Sequence, residues 1–347
     1  MSSLNLGVSV IICCHNSAKR LPETLRHLAA QQVPEGIPWE VIVVDNASTD
    51  DTSTVARTCP SSSLPLRVVS ESQPGLRHAR AKGMREAQHG IISFLDDDNW
   101  AAVDWISRVS DLFSAHPEVG ISGGRAVGEA EVTPPDWFPS IQGKYAIGPQ
   151  HAQSGDITDF PGTLLWGAGM NLRRAACVEL ESMGFESLIE DRKGKELTTG
   201  GDTELCFAIR ALGWRLWYDD GLVLRHFIPK ERLRWDYARR LHTGMGKAAA
   251  LFDLYLFALQ PSAIRAYPRW KQTWLFQFLK VLRQMTATFC CHPLACLTEP
   301  EGSLSALKFI ACQGQLRMLW KLAEDYAARK ASVAAAPWAR KFRSKAR

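Results

Sequence analysis

Four short apolar runs in the first hundred residues constrain this chain more than any other feature. They are Gly7-Val-Ser-Val-Ile-Ile-Cys13, Trp39 to Val44, Leu66 to Val69 and Gly90 to Leu95. Each is rich in β-branched residues and too short for a helix, so each reads as a buried strand. Helical patterns lie between them. Pro22 opens one with Leu21, Leu25, Leu28 and Ala29 on a common face. Ser48 stands as an N-cap with Asp50 and Asp51 in the following turn. Gly75 to Ala87 forms the third. Strands alternating with helices at this spacing predict an α/β fold with a mostly parallel sheet flanked by helices. Ligands in such sheets sit beyond the carboxyl ends of the strands. Three of those ends are polar here: His15-Asn16, Asp45-Asn46 and Asp96-Asp97-Asp98.

The pattern then changes. Pro117 to Pro161 is rich in Gly and Pro and predicts loops and short strands such as Val119 to Gly123. Arg173 to Gly184 and Thr203 to Leu212 read as helices, and Leu216 to Tyr218 and Gly221 to Arg225 as two short strands ending at His226. From Leu233 onward the chain reads as helical: Arg234 to Leu259, broken around Gly244 and Gly246, then Trp270 to Phe289, then Leu304 to Lys330. This divides the chain into an α/β region over 1–232, a helical extension over 233–330, and a basic, poorly ordered tail over 331–347.

Composition excludes several classes. Of 347 residues, 46% are hydrophobic and 22% charged, the balance of a globular protein rather than a disordered, collagen-like or coiled-coil one. The net charge of +5 is unevenly spread: residues 206–347 hold 24 Lys and Arg against 9 Asp and Glu, and residues 1–205 hold 17 against 27. One half therefore suits cations and the other an anionic surface. None of the nine cysteines forms a CxxC pair, which argues against a zinc ribbon. No basic leader or long apolar segment opens the chain and no window of about 18 apolar residues occurs. A cytoplasmic protein with reduced thiols is the expectation.

The candidate chemistry lies at the strand ends. Alternate carboxylates in Asp96-Asp97-Asp98 can point to one side, and hard oxygens suit Mg²⁺ or Mn²⁺; the same run could instead be an acidic loop. Asp45 could accept hydrogen bonds from a base or a ribose, or simply close a turn. Gly201-Asp202-Thr203-Glu204 either decorates a helix N-terminus with favourable acids or places Asp202 in the cleft as a general base. His226 stands alone at a strand end, where it is structural or a further metal contact beside Asp98.

Taken together, Val8 to Asn16, Val43 to Asp50, Gly75 to Arg80, Phe94 to Asp98, Gly201 to Leu205 and Val223 to His226 resemble, in order, the motifs of the family 2 glycosyltransferases, which share the GT-A fold. The resemblance covers about residues 7–230. It implies that His15, Asn16 and Asp45 hold the nucleoside and that Arg80 lies near the nucleotide. Asp96 and Asp98 would be the D-x-D, with Asp97 beside them at the donor and Asp98 the direct metal ligand. Asp202 would be the catalytic base, Glu204 would support the acceptor side, and His226 would approach the metal or diphosphate. Three positions depart from the family's habit: His15 replaces an aromatic, Ala81 an Asn, and Gly201 the Glu that precedes the base.

The implied activity is an inverting, metal-dependent transfer of a sugar from a nucleotide donor, a UDP-sugar first among them, to a glycan or lipid-linked acceptor in polysaccharide or cell-envelope biosynthesis. Mn²⁺ or Mg²⁺ is the implied cofactor. The rival reading is a non-catalytic sugar-nucleotide-binding scaffold that keeps the fold, for which Gly201 is the argument. A dinucleotide oxidoreductase is disfavoured by the lack of G-x-G-x-x-G after any early strand. No nucleic-acid recognition fold is visible. Aromatic and basic residues interleaved from Trp270 to Arg283 suggest contact with an anionic membrane surface, which would place the chain peripherally on the inner face of the membrane.

Overall fold

The computed structural model describes residues 6–58, 64–159, 164–189, 200–259 and 268–339. The first half follows the alternation: β1 (Val8–Cys14), α1 (Leu21–Ala29), β2 (Trp39–Asn46), α2 (Thr52–Arg57), β3 (Leu66–Glu71), α3 (Leu76–Glu86) and β4 (Ile91–Asp96). These four strands pair in parallel. Their side chains alternate between two cores, as a sheet covered on both faces requires. Ile11, Ile42, Val44, Ile92 and Phe94 enter one core, and Val10, Ile12, Val41, Val43 and Leu95 enter the other. Register then decides where the polar ends fall: Cys14 lies opposite Asp45, and Cys13 opposite Asp96.

The second half of the sheet is mixed. It adds β5 (Asn99–Ala101), β6 (Val119–Ala130), β7 (Gly155–Asp156), β8 (Asn171–Arg173) and β9 (Arg215–Ile228), with α4 (Trp105–Ala115), α5 (Arg174–Ser182) and α6 (Gly201–Ala211) packed around it. The strand order is β3-β2-β1-β4-β8-β6-β9-β5, with β7 also on β9. The pieces expected at Leu216–Tyr218 and Gly221–Arg225 are one strand. Asp219 and Asp220 do not break it, because Asp219 accepts from the Gly221 amide at 2.9 Å, Asp220 accepts from the Tyr218 hydroxyl at 2.8 Å, and β6 absorbs the irregularity by a register shift between Gly123 and Arg125.

The helices after β9 are α7 (Trp235–Leu259), α8 (Trp274–Cys291), α9 (Pro293–Thr298), α10 (Leu304–Lys321) and α11 (Tyr326–Ala335). Contrary to the sequence reading, α7 runs unbroken through Gly244 and Gly246. An added Cβ on Gly246 would collide with the Ala311 carbonyl of α10, and one on Gly314 of α10 with the Thr243 carbonyl of α7. Glycine serves here to bring two backbones together. The helix expected over 304–330 divides at Leu322, where α10 stops before α11 begins. Of residues 331–339, expected to be poorly ordered, 331–335 complete α11 and the rest follow its C-cap Ala336, and Val333, Trp338 and Ala339 are buried in the core that also holds Phe207 and Tyr255. Their apolar side chains outweigh the basic composition. Residues 340–347 lie outside the described residues. No described helix is long and apolar enough to cross a membrane.

Candidate active site

A cavity of about 330 Å³ opens where the parallel strands end. Arg80 of α3, Asp96 at the end of β4, Asp202 in the first turn of α6, and His226 near the end of β9 all line it. Four positions far apart in sequence thus share one cavity. Arg232, just beyond β9, and Tyr237, Leu241, Met245 and Phe252 of α7 also line it.

Asp202 is held by backbone. Its Oδ2 accepts from the Gly167 amide at 2.8 Å and its Oδ1 from the Thr203 amide at 2.7 Å. A Cβ on Gly167 would stand 2.6 Å from the Arg80 guanidinium and 3.5 Å from Asp202. The missing side chain at 167 is what lets the cation and the carboxylate approach one another. Arg80 also lies over the Phe94 ring, 5.6 Å from its centre.

The other two aspartates of the triplet are neutralised by arginine. Asp97 forms an ion pair with Arg20 at 2.5 Å, and its carbonyl accepts from the Thr24 hydroxyl of α1 at 2.9 Å. Burial and the neighbouring Asp98 charge raise the Asp97 carboxyl above its ordinary range, and Arg20 offsets only part of that. Asp98, 1% exposed, meets the Arg232 guanidinium at 3.0 Å and the His226 imidazole at 3.6 Å. Burial lowers Arg232, but Asp98, Tyr237, Asp97 and Asp96 together outweigh it and the guanidinium stays firmly protonated.

His15, Asn16 and Asp45 sit one and two strands away from Asp96 and do not line the cavity. They lace two loops together. His15 Nδ1 lies 2.8 Å from the Asn46 carbonyl, Asn16 Oδ1 accepts from the Thr49 amide at 2.8 Å, and Asp45 accepts from the Ser48 amide at 3.3 Å. Asn16, at φ 53°, takes the left-handed turn that lets the loop reverse. His15 and Asn16 remain exposed. Glu204 also lies off the cavity. It is buried and accepts from the Ser187 hydroxyl, the Leu188 amide at 2.6 Å and the Tyr255 hydroxyl. It fixes α6 to α7 and to the loop at 187–189, and so positions the helix that carries Asp202.

Asp96, Asp98 and His226 are the residues that could hold a divalent cation. The oxygens are of the right kind, and His226 lies within 3.6 Å of Asp98. Among the described residues no three such side chains stand close enough to hold an ion by themselves. The set therefore fits a cation that takes most of its ligands from a diphosphate and water, as Mg²⁺ and Mn²⁺ commonly do.

Sequence reasoning missed Arg20, Arg232 and Gly167. An arginine six residues beyond His226 carries no local pattern, and Gly167 lies in a stretch with no readable periodicity. The only available signal for the arginines was the need of adjacent buried carboxylates for counterions.

Residues 9–168 match the family described as Glycosyl transferase family 2. These residues belong to that family. The glycosyltransferase AglE of Haloferax volcanii is 33% identical over 109 residues, which span 31% of this chain but only 36% of AglE. The glucosyl-dolichyl phosphate glucuronosyltransferase of the same organism is 22% identical over 72% of this chain and 78% of its own length. The succinoglycan biosynthesis protein ExoM of Rhizobium meliloti is 26% identical over 70% and 75%. A mannosyltransferase of Pyrobaculum calidifontis, solved in complex with GDP-Man and Mn²⁺, superposes with a TM-score of 0.50 over 98% of this chain and 79% of its own, at 19% identity. That likeness shows the fold, which is GT-A.

Proposed function

We propose that this chain is an inverting glycosyltransferase that moves a sugar from a nucleoside-diphosphate donor to a hydroxyl of a glycan or lipid-linked acceptor. One observation carries the reading: Asp202, fixed by the Gly167 amide, shares a cavity with Asp96, Arg80 and His226. In this reading Asp202 takes the proton of the acceptor hydroxyl as its oxygen attacks C1 of the sugar. The bond from C1 to the diphosphate oxygen breaks, and the nucleoside diphosphate leaves with the bonding electrons. A single displacement inverts C1 and needs no enzyme nucleophile. General-base assistance of this kind is typically worth 10²–10⁴-fold.

Arg80 and Arg232 supply positive charge toward the departing diphosphate. Asp96, Asp98 and His226 would hold Mn²⁺ or Mg²⁺, which when bound stabilises charge on that leaving group. The relatives favour a setting in polysaccharide or glycolipid assembly, since one is named for succinoglycan biosynthesis and another for a dolichyl phosphate acceptor. A lipid-linked acceptor places the chain peripherally on the inner face of a membrane. His15, Asn16 and Asp45 remain the proposed nucleoside contacts, with a UDP-sugar the first donor to try.

Calorimetry with UDP, GDP, TDP and CMP, in Mn²⁺ and then in chelator, tests the donor. Asp202→Asn tests the chemistry: turnover falls by at least about 10²-fold while nucleotide binding persists. An Asn variant with unchanged turnover removes Asp202 from its role. A wild-type chain that binds nucleotide but transfers nothing to any acceptor leaves the scaffold reading in its place.

A further inference from the structure

Helix α8 carries two stripes. Trp274, Phe278, Val281 and Met285 pack into the core between α7, α10 and α11. One position further round, Leu275, Leu279, Leu282 and Phe289 follow the spacing of a single helical face, and all four are exposed, Leu275 by 57% and Leu279 by 51%. Arg283 flanks that face beside Leu279 and is exposed too. Ahead of the helix, Trp270 is 59% exposed, lies edge-on to Phe276 with ring centres 5.0 Å apart, and has the Lys271 ammonium 5.2 Å from its own ring centre. A neighbouring exposed ring is Trp320 of α10, whose centre lies 6.1 Å from that of Phe278. A soluble helix seldom shows water so regular an apolar stripe.

Charge narrows the choice of partner. Residues 254–298 contain no Asp or Glu and five Lys or Arg. A protein partner would be expected to meet some acidic counterpart here, whereas an acid-free apolar stripe edged with ammonium and guanidinium groups matches anionic headgroups above acyl chains. No described helix is long and apolar enough to cross a bilayer, so contact would stay at the interface.

We propose that the outer face of α8, with Trp270, docks on the surface of an anionic phospholipid bilayer, with Leu275, Leu279 and Leu282 in the headgroup–acyl boundary and Lys271 and Arg283 on lipid phosphates. This deepens the reading of a lipid-linked acceptor, yet binding to lipid requires neither donor nor turnover. The helices connect the two places: α8 packs on α10, α10 crosses α7 at Gly246 and Gly314, and α7 lines the cavity with Leu241, Met245 and Phe252.

Sedimentation of the full chain with vesicles tests it. One set is phosphatidylcholine alone and the other contains about one third phosphatidylglycerol. Binding is expected to the second set, with little to the first, and to weaken as salt rises. The double variant Lys271→Glu, Arg283→Glu lowers that binding at least about tenfold. Leu275→Ser with Leu279→Ser also abolishes most of it. Leu275, Leu279 and Arg283 are exposed and Lys271 is half-buried with its ammonium beside the exposed Trp270 ring, and circular dichroism and the melting temperature should match the unaltered chain. Asp202→Asn should bind vesicles normally, which keeps this inference separate from the catalytic one. No vesicle binding, binding that ignores lipid charge, or binding untouched by either double variant overturns the proposal. A dimer in solution that the leucine variants dissociate, without vesicle binding, assigns the face to a second copy instead.

Discussion

Asp253 of α7 offers a quantitative test of how the helical half is packed. It faces the core shared by α7, α8 and α11, and its Oδ2 is buried with no hydrogen-bond partner among the described residues. Burial pushes its carboxyl from 3.8 up to about 6, against the pull of the Lys280 ammonium. The Tyr326 hydroxyl, also without a partner, is raised by its own burial and by the Asp253 charge. The folded chain therefore holds this proton more tightly than the unfolded chain does. Stability from this group is full below about pH 4 and is lost as pH rises through 6. An acid titrating near 6 instead of 3.8 costs about 3 kcal/mol at neutral pH and above, an upper bound because water reaches part of the side chain. Asp253→Asn keeps the shape and removes the charge. It should be more stable than the unaltered chain by about 1–3 kcal/mol near neutral pH, with the gap closing toward about pH 4. Urea unfolding followed by tryptophan fluorescence across that range measures both curves. Equal stability near neutrality, or a gap that persists in acid, refutes the reasoning.

Two further predictions concern packing and charge. Gly246→Ala drives a methyl group into the Ala311 carbonyl and should destabilise by about 1–3 kcal/mol in the same assay, despite the better helix propensity of alanine; an Ala variant as stable as the parent would mean the two helices part easily. Arg232→Ala strips Asp98 of its guanidinium and should cost about 3 kcal/mol, while adding Asp98→Asn should restore much of the loss; if the double variant melts as low as the single one, the ion pair is not what holds this corner.

Strands β1, β2 and β4 were legible because their residues are buried on both faces, so hydrophobicity alone marks them, whereas β3, half-buried at the sheet edge, was marked by the β-branched pair Val68 and Val69. Register could not be read that way, yet it is what aligns Cys13 with Asp96 and Cys14 with Asp45. The three shortest strands escaped notice: β7 holds two residues and β5 and β8 three each, and pairing with longer neighbours, rather than propensity, makes them strands. Glycine misled at α7 because a helix breaker and a helix-crossing residue look alike in one dimension. At the site, Asp96, Asp202, His226 and Arg80 announced themselves by their motifs. Glu204 shares a motif with Asp202 but turns the other way, since helical neighbours two apart do not share a face. Arg20 and Arg232 are visible only once the fold sets them beside Asp97 and Asp98.

The aromatic chain from Trp338 through Tyr255 to Phe207 has a bearing on protein engineering. Trp338 stacks against Tyr255 at 6.3 Å, Tyr255 stacks on Phe207 of α6 at 5.8 Å, and the Tyr255 hydroxyl also reaches Glu204. A chimera that joined the α/β half to a different helical partner would have to rebuild this plug behind the proposed base. Affinity tags and fusions belong beyond residue 339 rather than in place of α11. Specificity is better altered by exchanging loops around the cavity than by trading the helices as a module.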